Sequence, residues 1–198
     1  MTTAGLLLAA GSGSRFGRPK ALVSFRGELL VQRGVRLLRA GGCDPVVVVL
    51  GAQAEEVMAT AGLPDSVLAL DWETGMGASL RAGLASLEGR AAADAAVSVV
   101  IALADQPLVG AESVVRLREA HAAGAVAAVA TYDGKPRNPV LLDRSTWAAV
   151  AAAAVGDAGA RPWLRAHPDL ITLVPCDGTG SPFDVDTPDD LATVEALP

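Results

Sequence analysis

The sequence predicts a single three-layer α/β domain built on a mostly parallel sheet, with a small antiparallel extension in the second half. Short apolar runs alternate with helical patterns along most of the chain, which is typical of right-handed strand–helix–strand crossovers. The run Ala96–Ala104 is apolar almost throughout, as expected for a central strand that is buried on both faces. At 198 residues the chain is long enough for one well-buried domain, and its composition indicates no linker within residues 1–198.

Strands and helices alternate regularly in the first half of the chain. The pair Gly41-Gly42 ends one helical pattern, and Gly75-Met76-Gly77 opens another. An almost pure valine run predicts a buried strand before Leu50. In chain order we predict strand Gly5–Ala9, helix Leu30–Ala40, strand Pro45–Leu50, helix Ala54–Ala61, strand Val67–Leu70, helix Ala78–Leu87 and strand Ala96–Ala104.

The second half is less regular. Thr187 is placed to cap a C-terminal helix, with Pro188 at its first position and Asp189 and Asp190 in its first turn, so we interpret these two acids as structural. Upstream, the predicted elements are helix Ala111–Ala122, strand Val126–Thr131, a strand Pro139–Leu142 that runs against the others, and helix Arg144–Ala153.

Composition and charge restrict the classes of partner. The net charge of −6 argues against a nucleic acid or an anionic membrane, because both require broad clusters of Lys and Arg. The apolar runs are too short to span a bilayer, and the N-terminus lacks the basic region of a signal peptide, so a cytoplasmic location is expected. Cys43 and Cys176 belong to no metal-binding spacing and are expected to be reduced, partly buried thiols. His121 and His167 are expected at the surface.

The most informative segment is Leu6–Lys20, an apolar run that breaks into a glycine-rich loop and ends on basic residues. We interpret it as a buried strand that feeds a phosphate-binding turn, in which Arg15 and Lys20 supply charge for a triphosphate. The dinucleotide fingerprint fails because its third glycine position is Phe16, and no Gly-Lys-Ser/Thr sequence forms a Walker A loop. An ordinary strand-to-loop turn is the alternative, since a glycine signature alone is weak.

Acidic residues follow two later segments and suggest a metal site. Asp105 directly follows the longest apolar strand, where a carboxylate is costly unless it meets a cation. The alternative, a cap for the helix near Ala111, requires a shorter separation. Strand alternation places Asp184 and Asp186 on one side, so both can face one hard cation. Mg²⁺ suits this chemistry because it is held by one or two carboxylates together with substrate phosphates.

Together, these motifs resemble those of the molybdenum cofactor cytidylyltransferases, within the broader group of single-domain nucleotidyltransferases. The resemblance extends over essentially the whole chain. It is carried by Leu8-Ala9-Ala10-Gly11, Gly13 and Arg15-Phe16-Gly17 with Lys20, by Asp105-Gln106-Pro107, by Gly156-Asp157-Ala158-Gly159-Ala160-Arg161 and by Asp184-Val185-Asp186-Thr187-Pro188.

The resemblance implies a Rossmann-like nucleotidyltransferase fold and Mg²⁺-dependent transfer of CMP from CTP to molybdopterin, with release of pyrophosphate. Ala10 and Gln106 resemble the cytidylyl form more than the guanylyl form. Such a transfer needs alignment and charge neutralisation but no protein nucleophile. The implied roles are nucleotide binding by Leu8, Ala9, Ala10, Gly11, Ser12, Gly13, Gly75, Gly77 and Ser79, catalysis by Arg15, Lys20 and Asp105, and metal binding by Asp105 with Asp184, Asp186 or both.

The acceptor side departs from the family pattern. Asn138 stands where family members often have His, while Arg137, Asn138 and Arg161 are the candidates for acceptor binding. Lys135 and Arg137 fit an anionic acceptor or simply form a solvated basic loop. A molybdoenzyme is a further implied partner. The alternatives are guanylyl transfer or transfer to a sugar phosphate, a non-catalytic nucleotide-binding relative, and an oxidoreductase that uses a nicotinamide dinucleotide.

Overall fold

A seven-stranded sheet forms the middle layer of the protein in the computed structural model, which describes residues 2–63, 65–90 and 95–197. The strands are β1 (Thr3–Leu8), β4 (Val46–Leu50), β5 (Ser66–Leu68), β6 (Ser98–Leu103), β7 (Ala127–Tyr132), β8 (Lys135–Asp143) and β9 (Ile171–Pro175), while β2 (Ser24–Phe25) and β3 (Glu28–Leu29) form a separate small hairpin. The spatial order of the strands in the large sheet is β5-β4-β1-β6-β8-β7-β9.

Strand β8 gives the sheet its antiparallel part. It pairs antiparallel with both β6 and β7, whereas β1 pairs parallel with β4 and β6, β4 with β5, and β7 with β9. The predicted antiparallel strand Pro139–Leu142 is therefore confirmed and is longer than expected. Because β8 runs against its neighbours, its first residues lie at the edge where β1 and β6 end.

Helices cover both faces of the sheet, which confirms the three-layer α/β class. The helices are α1 (Leu30–Ala40), α2 (Ala54–Ala61), α3 (Met76–Glu88), α4 (Ala111–Ala122), α5 (Trp147–Ala153), α6 (Arg161–Ala166) and α7 (Pro188–Glu195). The two faces bury alternate residues of the strands: Leu7 packs with α1, α2 and α4, and Leu6 with α3, α5 and α6. Full burial of each such leucine contributes about 1.5–3 kcal/mol.

Several boundaries differ from the sequence prediction. The predicted helix Arg144–Ala153 begins as a 3-10 turn, because the carboxylate of Asp143 accepts a hydrogen bond from the amide of Ser145 at 2.9 Å, and α5 starts only at Trp147. The other predicted strands and helices begin and end within a few residues of the observed ones. The hairpin β2–β3, helix α6 and strand β9 were not predicted. Among the described residues, no helix is both long and apolar enough to cross a membrane.

Both cysteines are buried and free, somewhat deeper than the predicted partial burial. Burial raises the pKa of the Cys43 thiol to about 12. The surface prediction for His121 is wrong: its imidazole is 13% exposed and lies 2.9 Å from the Asp143 carboxylate. That pair lies at the end of β8 far from the carboxyl ends of β1 and β6. His167 is exposed, as expected, and stacks on Trp163.

Candidate active site

The glycine-rich loop leaves β1 at the carboxyl edge of the sheet. The amide of Ala9 still donates to the Val49 carbonyl at 2.9 Å, so the chain remains tied to β4 as the loop begins. Residues Leu8–Ala10 are buried, whereas Gly11 and Ser12 are exposed. A Cβ atom added to Gly11 would meet open space. The loop therefore presents its backbone to solvent at the edge where α/β proteins bind ligands.

Gly13 closes this loop onto its own C-terminal part. Its φ is +59°, and a Cβ atom there would lie 2.1 Å from the Arg18 carbonyl oxygen and 2.8 Å from the Lys20 amide nitrogen. A larger residue cannot occupy the position without moving backbone. Arg15 lies in the short 3-10 turn Ser14–Phe16 and is exposed. The close approach at Gly13 thus brings Lys20 back towards the start of the loop.

The ammonium group of Lys20 bridges two carboxylates from distant parts of the chain. Its Nζ lies 2.9 Å from Asp105 Oδ2 and 2.5 Å from Asp186 Oδ1. Burial acts to lower the pKa of Lys20, but the two carboxylates outweigh it and raise the pKa above its ordinary value. The side chain is 19% exposed. Lys20 is therefore a firmly charged residue, and its backbone packs against Gly13 of the glycine-rich loop.

Asp105 reaches this cluster because it follows β6 directly. The preceding Ala104 amide donates to the Leu8 carbonyl at 3.1 Å, which fixes the end of β6 beside the start of the glycine-rich loop. One carboxylate oxygen, Oδ2, faces Lys20, while Oδ1 is buried and has no hydrogen-bond partner. Helix α4 is capped at Gly110. A helix-capping role for Asp105 is therefore excluded, as the spacing predicted.

The C-terminal carboxylates flank a buried valine. Val185 is fully buried beside Phe25 and Leu30, and its amide donates to the Asp105 carbonyl at 2.8 Å. This segment is not a strand, yet Asp186 shares the Lys20 ammonium with Asp105, and Asp184 accepts a hydrogen bond from Gln106, the residue after Asp105. The pKa of Asp184 is raised, first by desolvation and then by the negative charges of Asp105 and Asp186.

The acids that follow have the structural role predicted from the sequence. The hydroxyl of Thr187 accepts a hydrogen bond from the Asp190 amide, and the Asp190 carboxylate accepts one from the Thr187 amide. This reciprocal capping begins α7 and fixes the direction in which Asp186 enters the site. Asp189 lies in the first turn of the same helix, where a negative charge is favourable.

The sequence analysis includes Gln106 in a motif that resembles the cytidylyl form, but it gives this residue no role in the site. It is 6% exposed, and its Nε2 donates to Asp184 Oδ1 at 2.9 Å and to the Pro182 carbonyl at 3.2 Å. A buried amide needs hydrogen-bond partners, so a glutamine next to a candidate metal ligand is expected to bind a nearby polar group. The local sequence does not identify that group, because the two partners of Gln106 lie 76 and 78 positions away.

The carboxylates fit a divalent cation of the kind that completes its shell with substrate. The described residues contain no group of three or more His, Cys, Asp or Glu side chains able to hold a metal ion alone. Mg²⁺ is commonly held by one or two carboxylates plus phosphates and water. The unpartnered Asp105 Oδ1 offers a free acceptor beside the Lys20–Asp186 pair. The residues thus match a cation that arrives with a phosphate ligand.

Gly75 and Gly77 at the start of α3 pack against another of the sequence motifs. A Cβ on Gly75 would lie 2.5 Å from the Gly156 carbonyl carbon, and one on Gly77 would lie 2.8 Å from the backbone of Ala154. Both positions therefore exclude a side chain for reasons of packing. Ser79 lies inside α3 and is 5% exposed.

The candidate acceptor residues lie on two different elements. Asn138 is two residues before Val140, whose partner in β6 is Ile101, so it lies at the same edge as Asp105. Arg137 is exposed and donates to the neighbouring Pro136 carbonyl at 3.2 Å. Arg161 is an exposed first residue of α6, which follows the segment packed on α3.

A glycine-rich loop, a lysine and paired carboxylates at the carboxyl edge of a mostly parallel sheet are the features of an α/β enzyme that handles nucleoside triphosphates. Comparison with known proteins agrees: residues 5–170 match the family of the MobA-like NTP transferase domain. The chain belongs to this family and is an enzyme of the nucleotidyltransferase class.

Two curated relatives carry different names. The chain is 41% identical over 193 residues to "Nicotine blue oxidoreductase" of Paenarthrobacter nicotinovorans, covering 92% of this chain and 91% of that one. It is 40% identical over 133 residues to "Probable molybdenum cofactor guanylyltransferase" of Opitutus terrae, covering 66% and 61%. Relatives of similar identity thus differ in the reaction that their names state.

A solved structure matches the whole chain. The crystal structure of Rv0371c in complex with manganese, from Mycobacterium tuberculosis H37Rv, has a TM-score of 0.82 at 27% identity and covers 100% of both chains. Another crystal structure of Rv0371c superimposes with a TM-score of 0.86 at 29% identity. The arrangement of strands and helices is therefore that of this structural group.

Proposed function

We propose that the protein transfers CMP from CTP to the phosphate of molybdopterin and releases pyrophosphate. The observation that carries this proposal is the position of Lys20, whose ammonium lies between Asp105 and Asp186 and whose backbone packs against Gly13 of the glycine-rich loop. Nucleotidyl transfer requires a charged cradle that aligns an incoming phosphate oxygen with the α-phosphorus. A protein nucleophile is not required, which agrees with a site made of one lysine and carboxylates.

In this proposal, the glycine-rich loop holds the triphosphate. The exposed backbone of Gly11 and Ser12 lies against the phosphates, and Gly13 keeps the loop closed. Arg15 and Lys20 neutralise the negative charge that grows on the leaving pyrophosphate. Losing either charge should slow the transfer, with the larger effect at the less exposed Lys20.

Asp105 and Asp186 are the residues we propose to hold Mg²⁺, with Asp184 beside them. When bound, the ion offsets phosphate charge and acts as a Lewis acid on a phosphoryl oxygen. The free oxygen of Asp105 and the manganese complex of the Mycobacterium tuberculosis relative support a divalent cation here. Asp105 also orients the ammonium of Lys20 while no nucleotide is bound.

The base that we propose is cytosine. Ala10 and Gln106 resemble the cytidylyl form, which favours CTP, whereas the relative from Opitutus terrae is named as a guanylyltransferase. We propose CTP and treat GTP as the competing outcome of the assay. Gly77 and Ser79 would line the base pocket beside Gly75, at the start of α3.

The acceptor is proposed from charge and position. Asn138 lies at the edge where Asp105 ends β6, and Arg137 and Arg161 are exposed cations on neighbouring elements. Two arginines suit a phosphorylated acceptor such as molybdopterin. A cytoplasmic reaction and delivery of the product to a molybdoenzyme complete the proposal.

A redox reaction is a second candidate, because the 41% identical relative is named as an oxidoreductase. The broken glycine fingerprint at Phe16 does not favour a dinucleotide at the loop. To test this candidate directly, the purified protein is mixed with NADPH and candidate electron acceptors, and oxidation of NADPH is measured from the change in NADPH absorbance.

The deciding experiment measures pyrophosphate release with molybdopterin, Mg²⁺ and each of CTP, GTP, UTP and ATP. The variant Lys20→Ala serves as the control. Release with CTP that is lost in the variant supports the proposal, and release with GTP alone changes the base. Release with none of the four, together with NADPH oxidation, would transfer support to the redox candidate.

A further inference from the structure

Residues 105–110, which follow β6, are in contact with the C-terminal part of the chain. We call residues 179–186 the C-terminal strap. The Ser181 amide donates to the Leu108 carbonyl at 3.0 Å, and Val109 forms an isolated antiparallel bridge with Gly180. A Cβ on Gly110 would lie 2.0 Å from the Thr179 carbonyl oxygen, so the two backbones touch. The strap is thus fixed before it reaches Asp184.

A side chain completes this attachment at the carboxylates. Gln106 is buried next to Asp105, and its amide nitrogen reaches both Asp184 Oδ1 and the Pro182 carbonyl. Asp184 is thereby engaged by a neutral donor. Asp186, two residues further on, is the carboxylate that contacts Lys20. Asp184 and Asp186 therefore bind different side chains, although only Val185 stands between them in the sequence.

We propose that Gln106 is a positioning residue that fixes the C-terminal strap and engages Asp184, so that Asp186 is the acid presented beside Asp105 and Lys20. This inference rests on the proposed function in one respect, namely that Asp105 and Asp186 act together on a cation and a nucleotide. Gln106 itself touches neither. Its effect is transmitted through the two hydrogen bonds that it donates to the strap.

A purely space-filling role makes a different prediction. If Gln106 only fills the core, an apolar side chain of similar volume is tolerated. Gln106→Met keeps the length and removes the donor. Gln32→Met is the matched control, because Gln32 also donates through Nε2, but to the Ala61 carbonyl of α2 at 3.0 Å rather than to the strap. Asp184→Ala removes the acceptor from the other side.

The first measurement is amide hydrogen exchange in residues 181–186 of the free protein, which needs no substrate. We expect about tenfold faster exchange in Gln106→Met, which loses both hydrogen bonds to the strap, and little change in Gln32→Met. In the double variant Gln106→Met with Asp184→Ala, exchange should be faster than in the wild type by less than the product of the two single accelerations. Unchanged exchange in the strap, or equal acceleration throughout β6, would overturn the proposal.

The second measurement separates positioning from nucleotide binding. With the preferred triphosphate, Gln106→Met should lower kcat and raise the Mg²⁺ concentration for half-maximal rate, each by about tenfold, while the KM for the triphosphate stays nearly constant. If amide exchange shows that the strap is loosened in Gln106→Met, but the Mg²⁺ concentration for half-maximal rate is unchanged, the inference is wrong. If no triphosphate is turned over, the proposed function fails, while the exchange data still decide whether Gln106 positions the strap.

Discussion

Replacing Lys20 by Met tests whether the ammonium and a divalent cation compete for the same carboxylates. In the free protein, Lys20 Nζ lies within 2.9 Å of Asp105 and 2.5 Å of Asp186. The variant leaves those two carboxylates without this cation. We therefore expect Lys20→Met to bind Mn²⁺ more tightly than the wild type in the absence of nucleotide, although it transfers nucleotide more slowly.

The size of the effect follows from the charges. Two unit charges about 4 Å apart interact with about 1 kcal/mol in water, so an ammonium opposes a divalent ion at that distance by about 2 kcal/mol. This corresponds to about a 30-fold decrease in the Kd for Mn²⁺. It is a lower bound, because Lys20 and Asp105 are only 19% and 25% exposed and the local dielectric is below that of water. Turnover should fall about 10²–10³-fold, as for loss of a charged stabiliser.

The assay is titration of the free protein with Mn²⁺, followed by electron paramagnetic resonance. Lys135→Met is the matched control, because Lys135 is the other lysine of the chain and is exposed on β8. It should bind Mn²⁺ as the wild type does. If Lys20→Met binds Mn²⁺ no more tightly than Lys135→Met, then Lys20 does not share its carboxylates with the cation, and the metal site must be placed elsewhere.

Three further predictions concern the metal ligand, the packing of α3 and the pH dependence of stability. Asp105→Asn should abolish pyrophosphate release with little change in the circular dichroism spectrum, and retained activity would remove Asp105 from the site. Gly77→Ala should destabilise the protein by about 1–3 kcal/mol, because its Cβ meets backbone 2.8 Å away; Gly89→Ala, whose nearest atom is 3.5 Å away, is the control for thermal melting. Although burial raises the pKa of Asp143, hydrogen bonds from His121 and Ser145 outweigh it and lower the pKa, so the stabilisation is present above about pH 4 and lost as the pH falls further. His121→Ala should therefore cost about 1 kcal/mol in urea unfolding at pH 6 and less at pH 3; equal losses at both pH values would contradict this.

Local signals in the sequence predict most of the fold. Helix α1 begins and ends as predicted because Gly41-Gly42 stops it, and β6 is recognised by its apolar run. Strand β9 was missed because it lies at the sheet edge, where Val174 is its one buried residue and the apolar pattern is short. The start of α5 was misplaced because the hydrogen bond from Ser145 to Asp143 favours a 3-10 turn.

In the candidate site, too, some features follow from the local sequence and others depend on long-range contacts. The position of Asp105 was predictable because it directly follows a buried strand, and that of Lys20 because it ends the glycine-rich loop that leaves another strand. The pairing of Asp186 with Lys20, and of Asp184 with Gln106, depends on contacts between residues 166 and 78 positions apart. Alternation of side chains predicted that both acids can face one cation, whereas hydrogen bonding gives them different partners.

This difference bears on how one fold can serve relatives with different names. A nucleotidyltransferase and an oxidoreductase can share the sheet, because the sheet fixes only where the strands end. The chemistry depends on the charged groups delivered to that edge, and here they come from the loop after β1, the turn after β6 and the C-terminal strap. A relative that retains Lys20 and Asp105 but alters the strap would keep the proposed phosphate-binding loop and lose the second acid. Exchanging strap residues between such relatives should therefore change the proposed divalent-cation dependence before it changes the fold, and a strap exchange that left this dependence unaltered would refute this view.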